Sequence, residues 1–176
     1  MTSSFVAPDV NAPRFSHIVN SPIGRLLLVS DGNALTDLYM IDAKKHVNQP
    51  QDGMVPDPAV FGEASAQLGA YFGGDLKEFT LPLAPSGTAF QLAVWTELTK
   101  IPYGSTISYG EIALALGKTL VASRAVGLAN GSNPLAVIVP CHRVIGADGS
   151  LTGYGGGLER KELLLRLEGA GPNTLW

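Results

Sequence analysis

The sequence predicts an α/β N-terminal domain followed by a mostly helical C-terminal domain that contains a helix-turn-helix. Three observations support this fold class. Short runs of β-branched and aliphatic residues, separated by turn residues, come first, and one helical pattern follows them. A segment with two prolines and one glycine, Leu81–Gly87, then interrupts the pattern, and mainly helical patterns lie beyond it. The 176 residues are 45% hydrophobic and 15% charged, which is the composition of ordinary globular domains.

The predicted first domain is a β-meander with one helix. Its strand candidates are Phe15–Val19, Arg25–Ser30 and Leu35–Met40, with Ser21-Pro22 and Asp31-Gly32-Asn33 as turns. The polar stretch Asp42–Val55 has no sustained period and is predicted to be an exposed loop. Asp57 and Pro58 then provide an N-cap and a first-turn proline for a helix over Ala59–Phe72.

The domain boundary is predicted at residues 81–88, because prolines and glycine between periodic segments are typical of linkers. Residues 1–80 would then be a scaffold domain, and residues 89–176 the domain that carries the chemistry. The charge of −3 is uneven: residues 1–99 hold five Lys/Arg and ten Asp/Glu, whereas residues 100–176 hold seven and five. The second part is the better candidate for facing an anion, although so small an excess is also typical of solvated surface.

Two short helices in the second domain form a candidate helix-turn-helix, preceded by a helix over Ala89–Lys100. Ser108, with Glu111 three residues on, makes a capping box that starts the first, and the second spans roughly Val121–Asn130. That second helix offers one basic side chain, Arg124, among small and apolar residues. Because sequence readout in the major groove uses several Arg, Asn or Gln side chains, this composition favours close approach to a minor groove.

Cys141 is the only cysteine, and it lies in the motif Pro-Cys-His-Arg-Val at residues 140–144. The β-prone run Leu135–Val139 predicts a strand that ends at the proline and presents an exposed thiol. The alternative is a buried structural cysteine, the common state of a free thiol. The adjacent His142, Arg143 beyond it and a later carboxylate, Glu168, favour a reactive thiol, because an imidazole can remove the thiol proton.

The single cysteine also limits the class of protein. It excludes an internal disulfide and any zinc site that needs two thiolates, and it fits a reducing compartment. The N-terminus has no basic residue before Arg14 and no apolar leader, and long uncharged stretches are interrupted by Pro, Gly and Asn. We therefore expect a cytoplasmic protein with no membrane span, no metal and no cofactor.

The last part of the chain combines a glycine-rich loop and a helix. The loop, Thr152–Gly157, lacks the phosphate-binding GxxxxGK[ST] pattern, so either its backbone approaches a flat ligand with Tyr154 as one wall, or it is a flexible hairpin tip. The helix is predicted over Leu158–Glu168. It places Glu168 in the last turn, where the helix dipole disfavours an anion; this suggests a partner, and plain exposure is the alternative.

Taken together, these motifs resemble the O6-alkylguanine-DNA alkyltransferase family. The residues that carry the resemblance are Ile101–Gly104, Ser108–Ala113, Arg124–Gly127, Asn133-Pro134, Pro140–Val144 and Tyr154–Leu158. They occur in order from about Phe90 to Gly169, whereas the N-terminal part is similar only loosely, through Ser21–Gly24 and its strands. The resemblance implies an RNase H-like α/β domain followed by a helical domain with a winged helix-turn-helix.

The resemblance also implies a repair reaction that consumes the protein. Cys141 would attack the alkyl carbon on guanine O6, leaving restored guanine and a permanent S-alkylcysteine. His142, through a water and oriented by Glu168, would act as the base. Tyr109 would give a proton to the departing guanine, and Asn133 would tie the recognition helix to the cysteine turn.

By the same resemblance, the partner is double-stranded DNA containing O6-alkylguanine, and O4-alkylthymine as a further substrate, bound through the minor groove by a monomer. The target nucleotide must be flipped out of the duplex, and Arg124 would occupy the gap. The implied DNA-facing residues are Arg124, Ala125, Gly127, Ala129 and Tyr109. The implied alkylguanine pocket is formed by Val144, Tyr154, Gly155 and Gly156.

Departures and alternatives complete the prediction. Some relatives have serine at position 155, where this chain has glycine, and the turn Lys118–Leu120 lacks the proline often found there. The structural zinc site of some relatives needs cysteines that this chain does not have. One alternative function is a non-catalytic sensor of alkylated DNA with the same fold. A thiol hydrolase and a sequence-specific winged-helix transcription factor are the others.

Overall fold

The computed structural model describes residues 4–43 and 53–171. The described residues divide into two compact units: the first comprises those up to Ser86 together with Pro134–Ala136, and the second comprises Gly87–Asn133 and those from Val137 onward. Most of the predicted loop Asp42–Val55 lies outside the described residues, and its last residue, Val55, begins a short strand because it pairs with Phe15.

The first unit is built on a four-stranded sheet. Its strands are β1 (Phe15–Ser21), β2 (Gly24–Ser30), β3 (Leu35–Met40) and β4 (Val55–Pro56), in the order β3-β2-β1-β4. The β1–β2 and β2–β3 pairs are antiparallel, as expected for a meander, and β4 pairs with β1 in parallel. The middle of β2 is buried on both faces, which explains its continuous aliphatic run Leu26–Val29.

The predicted first helix begins as a 3₁₀ turn, Pro58–Phe61, capped by the Asp57 side chain, and continues as α1 (Gly62–Phe72). Residues of α1 on the inner face, including Leu68 and Tyr71, are buried. Among the described residues, no helix is long and apolar enough to cross a membrane.

The second unit is mainly helical. Its elements are α2 (Ala89–Thr99), β5 (Ile107–Ser108), α3 (Tyr109–Ala115), α4 (Ser123–Gly131), β6 (Val144–Ile145) and α5 (Leu158–Leu167). The capping box predicted from Ser108 and Glu111 is present at α3, and a 3₁₀ turn, Leu120–Ala122, leads into α4. The indole Nε1 of buried Trp95 donates to the Ala129 carbonyl at 2.8 Å, which joins α2 to α4. The helix-turn-helix is thus α3 and α4, with β5 and β6 paired in parallel beside it.

The predicted strand over Leu135–Val139 is wrong. This segment is a buried turn in which Leu135 forms an isolated bridge with Leu38 and Val137 has a φ of 73°. The Val139 carbonyl, for example, accepts from the Asn133 side chain and from the Cys141 N–H rather than from a neighbouring strand. A β-branched residue with positive φ is strained, so the surrounding contacts must hold this turn in place.

Candidate active site

Cys141 begins a short 3₁₀ turn, Cys141–Arg143, that follows this strained segment. Its residue exposure is 5%, so the predicted exposed thiol is also corrected: without a strand, the chain turns inward and packs the side chain. Burial raises the pKa of the Cys141 thiol, because the thiolate loses hydration. The side chain of Asn133, the Lys161 ammonium and the backbone N–H groups of Cys141 and His142 act in the opposite direction.

The structure brings His142 and Glu168 together, although 26 residues separate them in the sequence. His142 Nε2 lies 2.7 Å from Glu168 Oε1, and both side chains are fully buried. Burial lowers the pKa of His142, and the Glu168 carboxylate only partly offsets this effect. In the neutral ring that results, the proton belongs on Nε2, facing the carboxylate, so Nδ1 is the basic nitrogen. Within residues 4–43 and 53–171, Nδ1 has no hydrogen-bond partner.

Arg143 completes this cluster; the sequence pointed to it as a neighbour of the cysteine and histidine, with no role assigned. Its guanidinium contacts both carboxylate oxygens of Glu168, with Nε 2.8 Å from Oε2 and Nη2 3.0 Å from Oε1. Its Nη1 donates to the Ile101 carbonyl at 2.6 Å. The sequence signal for this contact is an arginine directly after the cysteine and histidine. If such an arginine is buried, its guanidinium requires a carboxylate partner.

Asn133 and Lys161 surround the thiol from other elements. Asn133, predicted as the tie to the cysteine turn, donates from Nδ2 to the Val139 carbonyl at 2.8 Å. Lys161, which sequence reasoning missed, is completely buried on α5, and its Nζ lies 2.6 Å from the Val144 carbonyl and 2.8 Å from the Thr152 carbonyl. Burial lowers the pKa of Lys161 to about 8. No local sequence pattern distinguishes it from a surface lysine.

Tyr109 is the first residue of α3 and lies beside the glycine-rich loop. Its hydroxyl donates to the Thr152 carbonyl at 3.1 Å, the same carbonyl that Lys161 contacts. Its ring packs near Gly127 on α4, where an added Cβ would lie 3.7 Å from the ring. The ring and the glycine therefore allow α3 and α4 to approach closely.

The predicted DNA-facing residues of α4 divide between two faces. Arg124 and Ala125 are exposed and Gly127 is half-buried. Ala129 is buried, against the expectation that it faces DNA, because Val126, Ala129 and Asn130 share the core side at helical spacing. Of the predicted pocket residues, Val144 and Gly156 are buried and Tyr154 and Gly155 are half-buried.

Over the described ranges, no group of three His, Cys, Asp or Glu side chains is arranged to hold a metal ion. The polar cluster around the thiol consists of one imidazole, one carboxylate and three hydrogen-bond donors: His142, Glu168, Arg143, Asn133 and Lys161. Such a cluster can deprotonate a thiol and stabilise the thiolate. A buried thiol next to a histidine–carboxylate pair, carried by a domain with a helix-turn-helix, indicates a class of protein: DNA-binding proteins that react through a cysteine.

The comparisons with known proteins identify the family within that class. The family models for the 6-O-methylguanine DNA methyltransferase ribonuclease-like domain and DNA-binding domain match residues 15–85 and 89–170. The chain therefore belongs to the 6-O-methylguanine DNA methyltransferase family, as the sequence motifs indicated. It has the fold of that family, with a ribonuclease-like α/β domain before the DNA-binding domain.

Individual relatives agree with this assignment. A methylated-DNA–protein-cysteine methyltransferase of Methanosarcina acetivorans is 55% identical over 87% of this chain and 97% of its own length. The Mycobacterium tuberculosis protein of that name is 54% identical over 85% and 89%. The crystal structure of the M. tuberculosis O6-methylguanine methyltransferase matches with a TM-score of 0.82, at 50% identity, covering 92% of this chain and 96% of that one. A second matching structure, with the same TM-score and 51% identity over 90% and 96% of the two chains, is a complex of the M. tuberculosis protein with DNA.

Proposed function

We propose that this protein repairs DNA by transferring the alkyl group of O6-alkylguanine to its own Cys141, once per molecule. Family membership supports the reaction, and the observation that carries it is the buried His142–Glu168 pair directly beside the sole cysteine. A cysteine placed only for packing would need neither a histidine paired with a carboxylate nor an imidazole nitrogen that lacks a partner among the described residues. A sensor that binds alkylated DNA without reacting is not favoured, because Cys141 is present.

In the proposed reaction, His142 Nδ1 takes the proton of the thiol through a water. Glu168 stabilises the imidazolium that forms. The thiolate attacks the alkyl carbon, so that the S–C bond forms as the O6–C bond breaks and the electron pair stays on guanine. Tyr109 gives the departing base a proton, since a neutral base leaves more easily than an anion. The S-alkylcysteine is a stable thioether, and the protein is consumed.

Three groups support the thiolate in this proposal. Asn133 and the backbone N–H groups donate toward sulfur, and Lys161 supplies a nearby positive charge. They offset the burial that raises the pKa of Cys141. Burial in turn excludes water from the site in which the thiolate reacts with the flipped base.

We propose that DNA binds along the exposed face of α4, in the minor groove. Small residues there, Ala125 and Gly127, permit close approach to the sugar-phosphate walls, and Arg124 fills the space left by the flipped nucleotide. Tyr109 stands next to Gly127 and so contacts the same strand. The flipped base enters the pocket of Val144, Tyr154, Gly155 and Gly156, in which glycine at position 155 offers only its backbone.

The remaining parts of the proposal concern context. The protein acts as a monomer on double-stranded DNA and removes alkyl groups from O4 of thymine as well. A cytoplasmic location suits a single thiol that must stay reduced until it reacts.

Intact mass spectrometry tests the function. The protein is mixed with a duplex carrying one O6-methylguanine, and Cys141→Ala is treated in parallel. We expect a gain of one methyl group per protein molecule, absent from the variant. An unchanged mass with retained duplex binding would instead indicate a sensor. The absence of both reaction and binding would overturn the proposal.

A further inference from the structure

Asn130 is a buried polar residue near the thiol that no part of the proposed mechanism uses. It lies on the core side of α4 with 4% of its surface exposed. Its Nδ2 lies 3.4 Å from the carbonyl oxygen of Cys141, and its Oδ1 has no hydrogen-bond partner in the described parts of the chain. A buried amide with one unpaired atom is destabilising, so its presence beside a reactive residue calls for an explanation.

The carbonyl that Asn130 contacts belongs to the peptide that links Cys141 to His142. The N–H of that same peptide is one of the groups that stabilise the Cys141 thiolate. The carbonyl also accepts from the Val144 N–H at the end of the turn, so both of its lone pairs have donors. Hydrogen bonds to a carbonyl polarise the whole amide and strengthen its N–H as a donor.

We infer that Asn130 is a positioning residue that raises the reactivity of Cys141 by orienting and polarising the Cys141–His142 peptide. The side chain does not touch the sulfur itself. It acts in sequence from Nδ2 to the carbonyl oxygen, across the peptide bond to the His142 N–H, and from there to the thiolate. The inference rests on the proposed function only in that Cys141 is taken as the residue that accepts the alkyl group.

Other charged groups around the thiol fix the background against which Asn130 acts. Lys161 on α5 attracts the thiolate, and its pKa is lowered to about 8. His142 is buried in its neutral form, and Arg143 and Glu168 form a pair whose charges balance. Replacing Asn130 by an uncharged residue leaves all four groups in place, so a change in thiol titration would report the peptide polarisation.

The unpaired Oδ1 gives the inference a distinctive signature. Leucine has nearly the shape of asparagine but no polar atoms, so Asn130→Leu removes both the donor and the unsatisfied oxygen. Its stability should therefore equal or exceed that of the wild type. A residue that served only to hold the turn together would instead lose stability when replaced.

The test measures the rate at which iodoacetamide alkylates Cys141 from about pH 6 to about pH 10, followed by intact mass. Because Cys141 is the only cysteine, the carbamidomethyl groups that a parallel Cys141→Ala sample does not gain report this thiol alone. For Asn130→Leu we expect a rate roughly two- to fivefold below wild type near neutral pH that converges at high pH, with an unchanged or raised Tm. Val126→Ala is the matched control, since it opens a cavity on the same face of α4; it should lower Tm and leave the pH profile unchanged.

An Asn130→Leu profile that superimposes on the wild type overturns the inference, and so does an equal shift in Val126→Ala. If Asn130→Leu does not fold, Asn130→Ala tests the same loss of the donor without added bulk. The backbone ¹⁵N–¹H resonance of His142 gives a second readout, in which a weaker hydrogen bond from this N–H to the sulfur moves the proton resonance upfield. None of these measurements uses DNA, so failure of the repair reaction and failure of this inference are distinguishable.

Discussion

At the scale of single residues, burial sets the state of the His142–Glu168 pair, and Arg143 acts in the same direction. A lone buried carboxylate would hold a neighbouring imidazole in its charged form, and a protonated His142 could not act as a base. The guanidinium already balances Glu168, with two contacts of 2.8 and 3.0 Å, so burial prevails and the pKa of His142 is lowered. His142 is consequently neutral and basic at neutral pH.

A pH-dependent stability follows from this shift. The pKa of His142 lies below its ordinary value of 6.5 in the folded state, so the unfolded chain binds more protons once pH falls below that value. The free energy of unfolding should then fall with decreasing pH, by up to about 1.4 kcal/mol per pH unit from this group. Urea denaturation of wild type and His142→Gln at about pH 7.5 and about pH 5.5 measures this loss of unfolding free energy. Equal losses in the two proteins would contradict the prediction.

Glu168→Gln should be among the most damaging conservative changes in the protein. It leaves the buried Arg143 cation without its counter-charge, and breaking such a pair costs about 3–5 kcal/mol. Alkyl transfer should also slow, because His142 loses the carboxylate that stabilises its protonated form. Glu162→Gln is the control, since its pair with Arg166 is well exposed and should contribute less than about 1 kcal/mol. Urea unfolding and single-turnover transfer measure both variants, and similar effects would count against the assigned role.

At the scale of elements, α4 presents two functional faces. Its core side carries Val126, Ala129 and Asn130, whereas Arg124 and Ala125 project outward. The helix is short and offers one exposed cation, which suits insertion into a groove rather than base readout. Mutations on the exposed face should therefore have different effects from mutations on the core face.

Arg124→Ala should separate binding from chemistry. An exposed substitution of this kind changes the free energy of unfolding by no more than about 0.5 kcal/mol. Methyl transfer from duplex DNA should fall at least about tenfold, because the gap left by the flipped nucleotide is unfilled. The rate with iodoacetamide should not change. Arg25→Ala, an exposed arginine of the first unit, is the control, and loss of transfer in that variant would remove the special status of Arg124.

The start of α3 depends on a capping box that also sets the position of Tyr109. Ser108 Oγ accepts from the Glu111 N–H, and the Glu111 carboxylate accepts from the Ser108 N–H at 2.7 Å. Ser108→Ala should cost about 1 kcal/mol of unfolding free energy, with a smaller loss of transfer rate than Tyr109→Phe. Thermal denaturation and single-turnover assays check the two effects. An unchanged stability would mean that solvent replaces the cap.

At the scale of the whole molecule, charge limits how DNA is held. The net charge is −3, and residues 100–176 carry only two more basic than acidic side chains. On the proposed function, we therefore expect few phosphates to be neutralised, with shape and the flipped base supplying much of the specificity. This differs from proteins that hold DNA by a broad basic surface.

A shallow salt dependence is the corresponding prediction. If about two to four phosphates are contacted, the logarithm of the binding constant should fall with the logarithm of salt concentration with a slope of roughly −2 to −4. Fluorescence anisotropy of a labelled duplex over a series of salt concentrations measures the slope. A slope near that of strongly basic DNA-binding proteins would show that other charged residues join the interface.

The local sequence alone determined most of the secondary structure and the identity of the family. Strands β1, β2 and β3 of the first unit, helix α2 and the capping box of α3 follow from short-range patterns, because interactions between neighbours along the chain create them. The motif around Cys141 identified the chemistry for the same reason: its residues are adjacent in the chain. His142 and Glu168 were paired only through the resemblance, since no local pattern joins residues so far apart.

The tertiary structure decided what surrounds the thiol. The aliphatic run Leu135–Val139 has the composition of a strand, yet its last carbonyl accepts from the Asn133 side chain and the Cys141 N–H rather than from a strand, and Cys141 is buried. Lys161, Arg143 and Asn130 look like ordinary helix and turn residues until packing removes them from water. Burial then forces each to find partners on other elements, and those partnerships depend on contacts across the fold that no short stretch of sequence encodes.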